Sequence, residues 1–267
     1  MKPMYKMLFR RFIFIAVLFA AFGAAASAQE SPGFFAKVKS FFTKEETPAT
    51  VSAPVAAPAE SEKTEPKAPV DRYAPTFNFE ARTIGNDDAP LKMYVFTSFT
   101  CGHCAYFHNQ TMPEIARKYA DDGRMQIIVA DFPLDERAMV ATMISKCLED
   151  DNSYFAFMDT LYENQNKWMM SHNLQEALLP YARLSGMPEK KMLACAQDES
   201  ALKEIARQRN LYIMKYKINA TPTLVLKTKK RTEKFTGVPA MEEFDATVAD
   251  MLKDVPPAPK KAEASAP

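Results

Sequence analysis

Histidine and cysteine are scarce in this chain, with three His and four Cys among 267 residues. A structural zinc centre takes four ligands, usually as two pairs. Here only one Cys-x-x-Cys occurs, Cys101-Gly102-His103-Cys104. His108 follows Cys104 by four residues along the same expected helix, and no second pair exists to complete a site. Excess positive charge is also missing: 34 Lys and Arg stand against 33 Asp and Glu. A basic face of the kind that holds nucleic acid is therefore not expected, nor is a nucleic-acid partner. Beyond residue 28 no stretch is apolar enough to cross a bilayer. No cysteine directly follows the first apolar run, so a lipid-modified amino terminus is not indicated.

That first run opens the chain. Lys2, Lys6, Arg10 and Arg11 form a basic patch, Phe12 to Phe22 is apolar, and Ala26-Ser27-Ala28 supplies small residues for cleavage. The pattern is that of a signal peptide over residues 1–28, with an uncleaved anchor as the rival. Its removal leaves 30 basic against 33 acidic residues, a net charge of −3. Export to the periplasm sets an oxidising context, in which an even number of cysteines favours disulfides.

Residues 29–46 include Phe34, Phe35, Val38, Phe41 and Phe42 on one helical face, with Lys37, Lys39 and Lys44 off it. This short amphipathic helix is marginal alone. It suits a nascent helix, self-association through residues 33–44, docking, or a membrane surface. Residues 47–72 and 255–267 are rich in Pro, Ala, Glu and Lys. They bury too little apolar surface to offset their ordering entropy, and read as a disordered linker and tail. One domain is left, residues 73–254, with room for a real core.

Within it, Leu91 to Phe99 reads as a central strand and Ala105 to Asp121 as a helix kinked at Pro113 and ended by Gly123. Met125 to Ala130 reads as a second strand. Strand, helix and strand of these lengths make a right-handed parallel crossover. Helical patterns fill about 135–216, strand character returns at Thr223 to Lys227 and Lys234 to Thr236, and Met241 to Leu252 is a last helix. The fold class is α/β, with a helical domain inserted between a βαβ and a ββα half.

Cys101 and Cys104 stand where the first strand gives way to the helix. Two thiols at this spacing can bridge and reopen with little backbone movement. Helix-start N–H groups favour a thiolate there. A two-electron redox centre is the leading reading. Half of a zinc site, an inert disulfide, and a copper-binding or delivery module using both thiolates are the rivals. Thr221-Pro222 opens the later strand, where proline cannot donate a ladder bond. A cis bond there would expose the Thr221 backbone to an incoming extended chain, whereas a trans proline at a strand edge would be structural only.

Phe96-Thr97-Ser98-Phe99-Thr100-Cys101-Gly102-His103-Cys104, together with Ala220-Thr221-Pro222-Thr223-Leu224-Val225, resembles the DsbA-type thioredoxin-fold oxidoreductases. Ile84 to Pro90, Leu161 to Gln165 and Gly237-Val238 add to the likeness, which covers about Thr83 to Leu252. The resemblance implies a thioredoxin-like fold with an inserted helical domain and a cis Pro222. Cys101 would be the exposed nucleophile, Cys104 the buried resolving thiol, and His103 a support for the Cys101 thiolate. Thr221 would present its backbone to the sulfurs. It implies thiol–disulfide exchange without a bound cofactor, on cysteine-bearing client proteins. Recharging would come from a membrane partner of DsbB type, or from a reducing partner. Three departures bear on direction. Val95 stands where such oxidases often carry a buried acid, Gly-His replaces Pro-His between the cysteines, and Thr precedes the proline. Oxidase, isomerase and reductase work all remain open.

Cys147 and Cys195 lie 48 residues apart within apolar helical patterns. They read as a structural disulfide, as two buried free thiols, or as a second relay or metal pair. The exported setting favours the bridge, and the resemblance agrees. His172 reads as a surface residue at a helix entry. The glycosylation-like triplets at Asn109 and Asn219 read as chance, since a glycan at either would obstruct the proposed site.

Overall fold

The structure, a computed structural model, describes residues 37–39, 42, 73–253 and 255. The expected signal peptide and linker, and all of the expected tail except Val255, lie outside the described residues. Among the described residues no helix is long and apolar enough to cross a membrane.

Five strands form one mixed sheet: β1 (Arg82–Gly85), β2 (Leu91–Thr97), β3 (Met125–Asp131), β4 (Thr223–Lys227) and β5 (Thr232–Thr236). Their spatial order is β1-β3-β2-β4-β5. β2 and β3 run parallel, with Val95 beside Val129 and Thr97 beside Asp131, and every other pairing is antiparallel. β3 is buried along its whole length, as an apolar run covered on both faces should be. β1 went unseen in the sequence because it is four residues long; Gly85, at φ 99°, ends it.

Between β2 and β3 the chain winds through α1 (Gly102–Tyr106), a π-helical turn (Phe107–Thr111), α2 (Met112–Ile115) and a second π-helical turn (Ala116–Ala120). Pro113 was expected to kink a regular helix. Proline has no N–H to donate, and the ladder adjusts by widening: the Met112 N–H reaches back five residues to the Phe107 carbonyl. Phe107, Met112, Ile115 and Tyr119 pack with Phe244, Val248 and Met251 of the last helix on one sheet face. Tyr212 and Tyr216 cover Phe96 on the other.

The inserted helical layer comprises α3 (Glu136–Lys146), α4 (Asp151–Glu163), α5 (Gln165–Met169), α6 (Leu174–Leu184), α7 (Glu189–Ala196) and α8 (Glu199–Tyr216); α9 (Met241–Leu252) closes the fold. Asp135, Asp150, Asn173 and Asp198 each cap a helix start with a side-chain oxygen. Cys147 and Cys195 are joined in a disulfide, with Cα atoms 6.2 Å apart inside the core of this layer.

Residues 37–39 and 42 are helical. Val38 is fully buried in the core of the helical layer and Phe42 packs against it, with the Arg209 guanidinium 5.6 Å from the Phe42 ring centre. Lys37 pairs with Glu199 at 2.5 Å. Val38 and Phe42 are thus turned onto the domain's own helical layer.

Candidate active site

The strand hands Cys101 directly to a helix start. After Thr97 the chain turns, and the Cys101 N–H donates to the Ser98 carbonyl at 3.1 Å. Cys101 caps α1: its φ of −83° and ψ of 117° are extended, and its sulfur accepts from the Cys104 N–H at 3.3 Å. The turn is held from the helical layer. Gln165 donates from Nε2 to the Phe99 carbonyl at 2.7 Å and the Cys101 carbonyl at 3.1 Å. The Thr100 hydroxyl donates to Asp135 at 2.6 Å, and the Leu134 N–H to Ser98 Oγ at 3.3 Å.

Both cysteines are free thiols, Cys101 partly exposed and Cys104 fully buried. Burial costs the charged form, so it drives the Cys104 thiol far above its ordinary range, and hydrogen bonding to Cys101 adds to this. Cys101 moves the other way, down to about 5. The Cys104 thiol donating to it is the largest cause, followed among the favourable ones by the Thr221 hydroxyl and the backbone N–H groups of Cys104 and His103, against an opposing cost of burial. One sulfur is thus a thiolate at neutral pH, and its neighbour holds the proton.

The Thr221–Pro222 peptide is cis. It brings the Thr221 carbonyl within 3.2 Å of Cys101 Sγ, so that loop and helix start meet across 120 residues of sequence. The Thr221 hydroxyl is buried without a hydrogen-bond partner of its own among the described residues, and its proximity favours both thiolates. The His103 imidazole is exposed, and the His103 backbone N–H favours the Cys101 thiolate.

Several neighbours escaped the sequence reading. The Thr97 hydroxyl meets the Tyr162 phenol at 2.6 Å and favours the Cys104 thiolate. The Tyr162 ring lies tilted against both Phe99 and His108, with ring centres 5.4 and 4.8 Å away, and His108 Nε2 lies 2.6 Å from Asp159. Next to Thr97 on the adjoining strand, Asp131 pairs with Lys146 at 2.8 Å, both buried. A charged residue ending an apolar strand and a lysine ending an apolar helix were the available signals. Among the described residues no group of three or more His, Cys, Asp or Glu is placed to hold a metal; the two sulfurs could offer thiolate ligands only as a pair.

A vicinal dithiol at a helix start, facing a cis-proline loop on a β1-β3-β2-β4-β5 sheet, defines a thioredoxin-fold protein with an inserted helical layer. The family model described as Thioredoxin matches residues 78–250, and the chain belongs to that family. It is 28% identical over 171 residues to a Rickettsia bellii protein named "Putative protein-disulfide oxidoreductase", a match covering 63% of this chain and 66% of that one. A Bacillus cereus protein named "Probable disulfide bond formation protein D" is 32% identical over 91 residues, covering 32% and 41%. The chain spans about half to two thirds of the length of the first Rickettsia relatives, 66, 52 and 50%. Among solved structures, Wolbachia pipientis alpha-DsbA1 is similar at 29% identity and a TM-score of 0.60, over 66% of this chain and 92% of that one. A protein-disulfide isomerase from Novosphingobium aromaticivorans, at 19% identity and a TM-score of 0.54 over 65% and 98%, shares the fold.

Proposed function

We propose that this protein is an exported, periplasmic thiol–disulfide oxidoreductase that forms or reshuffles disulfides in client proteins through Cys101 and Cys104. The observation that carries the reading is the split between the two sulfurs: Cys101 partly exposed and lowered to about 5, Cys104 buried and raised. In the oxidising direction a client thiolate attacks Cys101 Sγ of the bridged pair, and Cys104 leaves with the electron pair of the broken S–S bond. A second client thiolate then attacks the client sulfur of the mixed disulfide, and Cys101 leaves as a thiolate. The client gains a disulfide and the dithiol is left reduced. A stable Cys101 thiolate is a good leaving group, which makes the bridged form oxidising.

The Thr221 backbone beside Cys101 offers pairing groups to an extended client segment. A partner bearing a disulfide, of DsbB type, would restore the bridge; an isomerase role would need a reducing partner instead. Names and fold of the relatives support the class of reaction, and the low Cys101 value favours the oxidising direction. Refolding of reduced and of scrambled ribonuclease separates the two directions. Oxidase work predicts gain of activity from the reduced substrate with the bridged protein. Rescue of scrambled substrate alone would point to isomerisation, and failure on both would contradict the proposal.

A further inference from the structure

Gln165 is the first residue of α5, and its carboxamide is aimed at the turn that carries Cys101. The joint behind it is tied down. Asn164, at φ −111° and ψ 21°, ends α4, and its Nδ2 donates to the Thr160 carbonyl at 3.0 Å. The buried Trp168 donates from Nε1 to the Leu161 carbonyl at 3.0 Å, joining α5 to α4. From this joint Gln165 Nε2 brings two hydrogens to two carbonyls, one on each side of Thr100. Phe99 is also gripped by its ring, whose centre lies 6.2 Å from that of Phe157 and 5.4 Å from that of Tyr162, both on α4. The Cys101 carbonyl opens the α1 ladder by accepting the Ala105 N–H at 3.1 Å. Gln165 Oε1 lies beside the dipeptide between the cysteines, 4.0 Å from where a Cβ on Gly102 would stand.

A side chain caps a helix only while its own residue stays extended and its carbonyl stays on the first turn. Cys101 meets both conditions, and its sulfur takes the Cys104 N–H at 3.3 Å while lying 3.2 Å from the Thr221 carbonyl oxygen. We propose that Gln165 is a positioning residue for thiol exchange: its carboxamide clamps the Phe99 and Cys101 carbonyls and so keeps Cys101 Sγ on the helix-start N–H groups that stabilise a thiolate. Without the clamp the two carbonyls turn toward water and the sulfur drifts from its donors. The charged or titratable side chains around the clamp are His103, Cys104, Asp135 at the Thr100 hydroxyl, Tyr162, and Lys167 on α5. A change at Gln165 leaves all of them in the chain, so a shift at Cys101 reads the clamp.

This inference rests on the dithiol reading above. Gln165→Met keeps the reach of the side chain and removes both donors, and Gln165→Glu sets a carboxylate against the two carbonyls. In Gln165→Met the half-maximal rate of Cys101 alkylation by iodoacetamide should move up by about one pH unit, a loss of about tenfold in the thiolate equilibrium, and in Gln165→Glu further. A less stable thiolate leaves a less oxidising disulfide, so the glutathione equilibrium of Gln165→Met should move about tenfold toward the bridged form. A merely structural clamp would lower the urea midpoint and leave both readings at their parent values. That result, or a downward move of the alkylation midpoint, would overturn the assignment. If Gln165→Met does not fold, Gln165→Asn, which keeps the carboxamide but shortens its reach by one methylene, carries the same expectation and the same contrary result. Ellman's reagent tests the dithiol reading on the parent protein alone. The Cys101 thiolate attacks the reagent and expels one aryl thiolate; Cys104, its proton lost to solvent, then attacks Cys101 Sγ, closes the Cys101–Cys104 bond and expels the second. Release of only one aryl thiolate would overturn the dithiol reading instead.

Discussion

Cys101 Sγ sits 3.2 Å from the carbonyl oxygen of Thr221, a residue 120 positions along the chain and on the far side of the helical insertion. The reactive sulfur is therefore shared between two halves of the fold, a helix start from one and a cis-proline loop from the other.

The first prediction concerns pH. Alkylation of Cys101 by iodoacetamide needs the thiolate, so its rate should be half-maximal near pH 5 and flat above about 7. A midpoint at the ordinary value of 9.0 would show that the surrounding donors do nothing.

The same lowering has a consequence for stability. A group whose folded-state pKa is depressed contributes stability that is fully present above its unfolded value and lost as pH falls through the folded one. Relative to Cys101→Ser, the reduced parent should thus gain melting temperature as pH rises from about 5 toward 9. Parallel curves across that window would contradict the shift.

Asp131 and Lys146 form an ion pair with both partners buried. Lys146→Met alone strands a carboxylate in the interior and should cost about 3–5 kcal/mol; adding Asp131→Leu should recover much of that loss. Urea unfolding of the single and double variants checks this. A double variant as unstable as Lys146→Met would mean that packing, not charge, is at issue.

Opening the Cys147–Cys195 bridge by Cys→Ala at both positions frees a loop of 48 residues. The chain-entropy account sets the loss of stability at up to about 4 kcal/mol. Denaturant melts should show this loss, while the alkylation rate of Cys101 should stay at its parent value, because the bridge lies within the helical layer's core.

The two long central strands and the Cys-x-x-Cys between them were legible because their signals are local: apolar runs, spacing, and a helix pattern following at once. Pro222 as a cis residue came from the resemblance, since Thr-Pro at a strand start is compatible with either isomer. β1 was too short to carry a pattern, and the π-helical turns around Pro113 depend on how the hydrogen-bond ladder accommodates a missing donor. Thr97, Tyr162 and Gln165 act at the site through contacts spanning 64 to 66 residues, made only when the helical layer closes on the sheet. Read along the chain, Tyr162 and Gln165 stood only within the Leu161 to Gln165 likeness, with no role at the site attached. Val38 shows the converse: an amphipathic stripe was visible, but the surface it faces was not.

The most direct test is the redox equilibrium of the Cys101–Cys104 pair with glutathione. With a thiolate at Cys101, the pair should come to equilibrium at a potential well above the roughly −270 mV of thioredoxin, so that modest glutathione reduces it. A pair that stays bridged down to thioredoxin-like potentials would contradict the account.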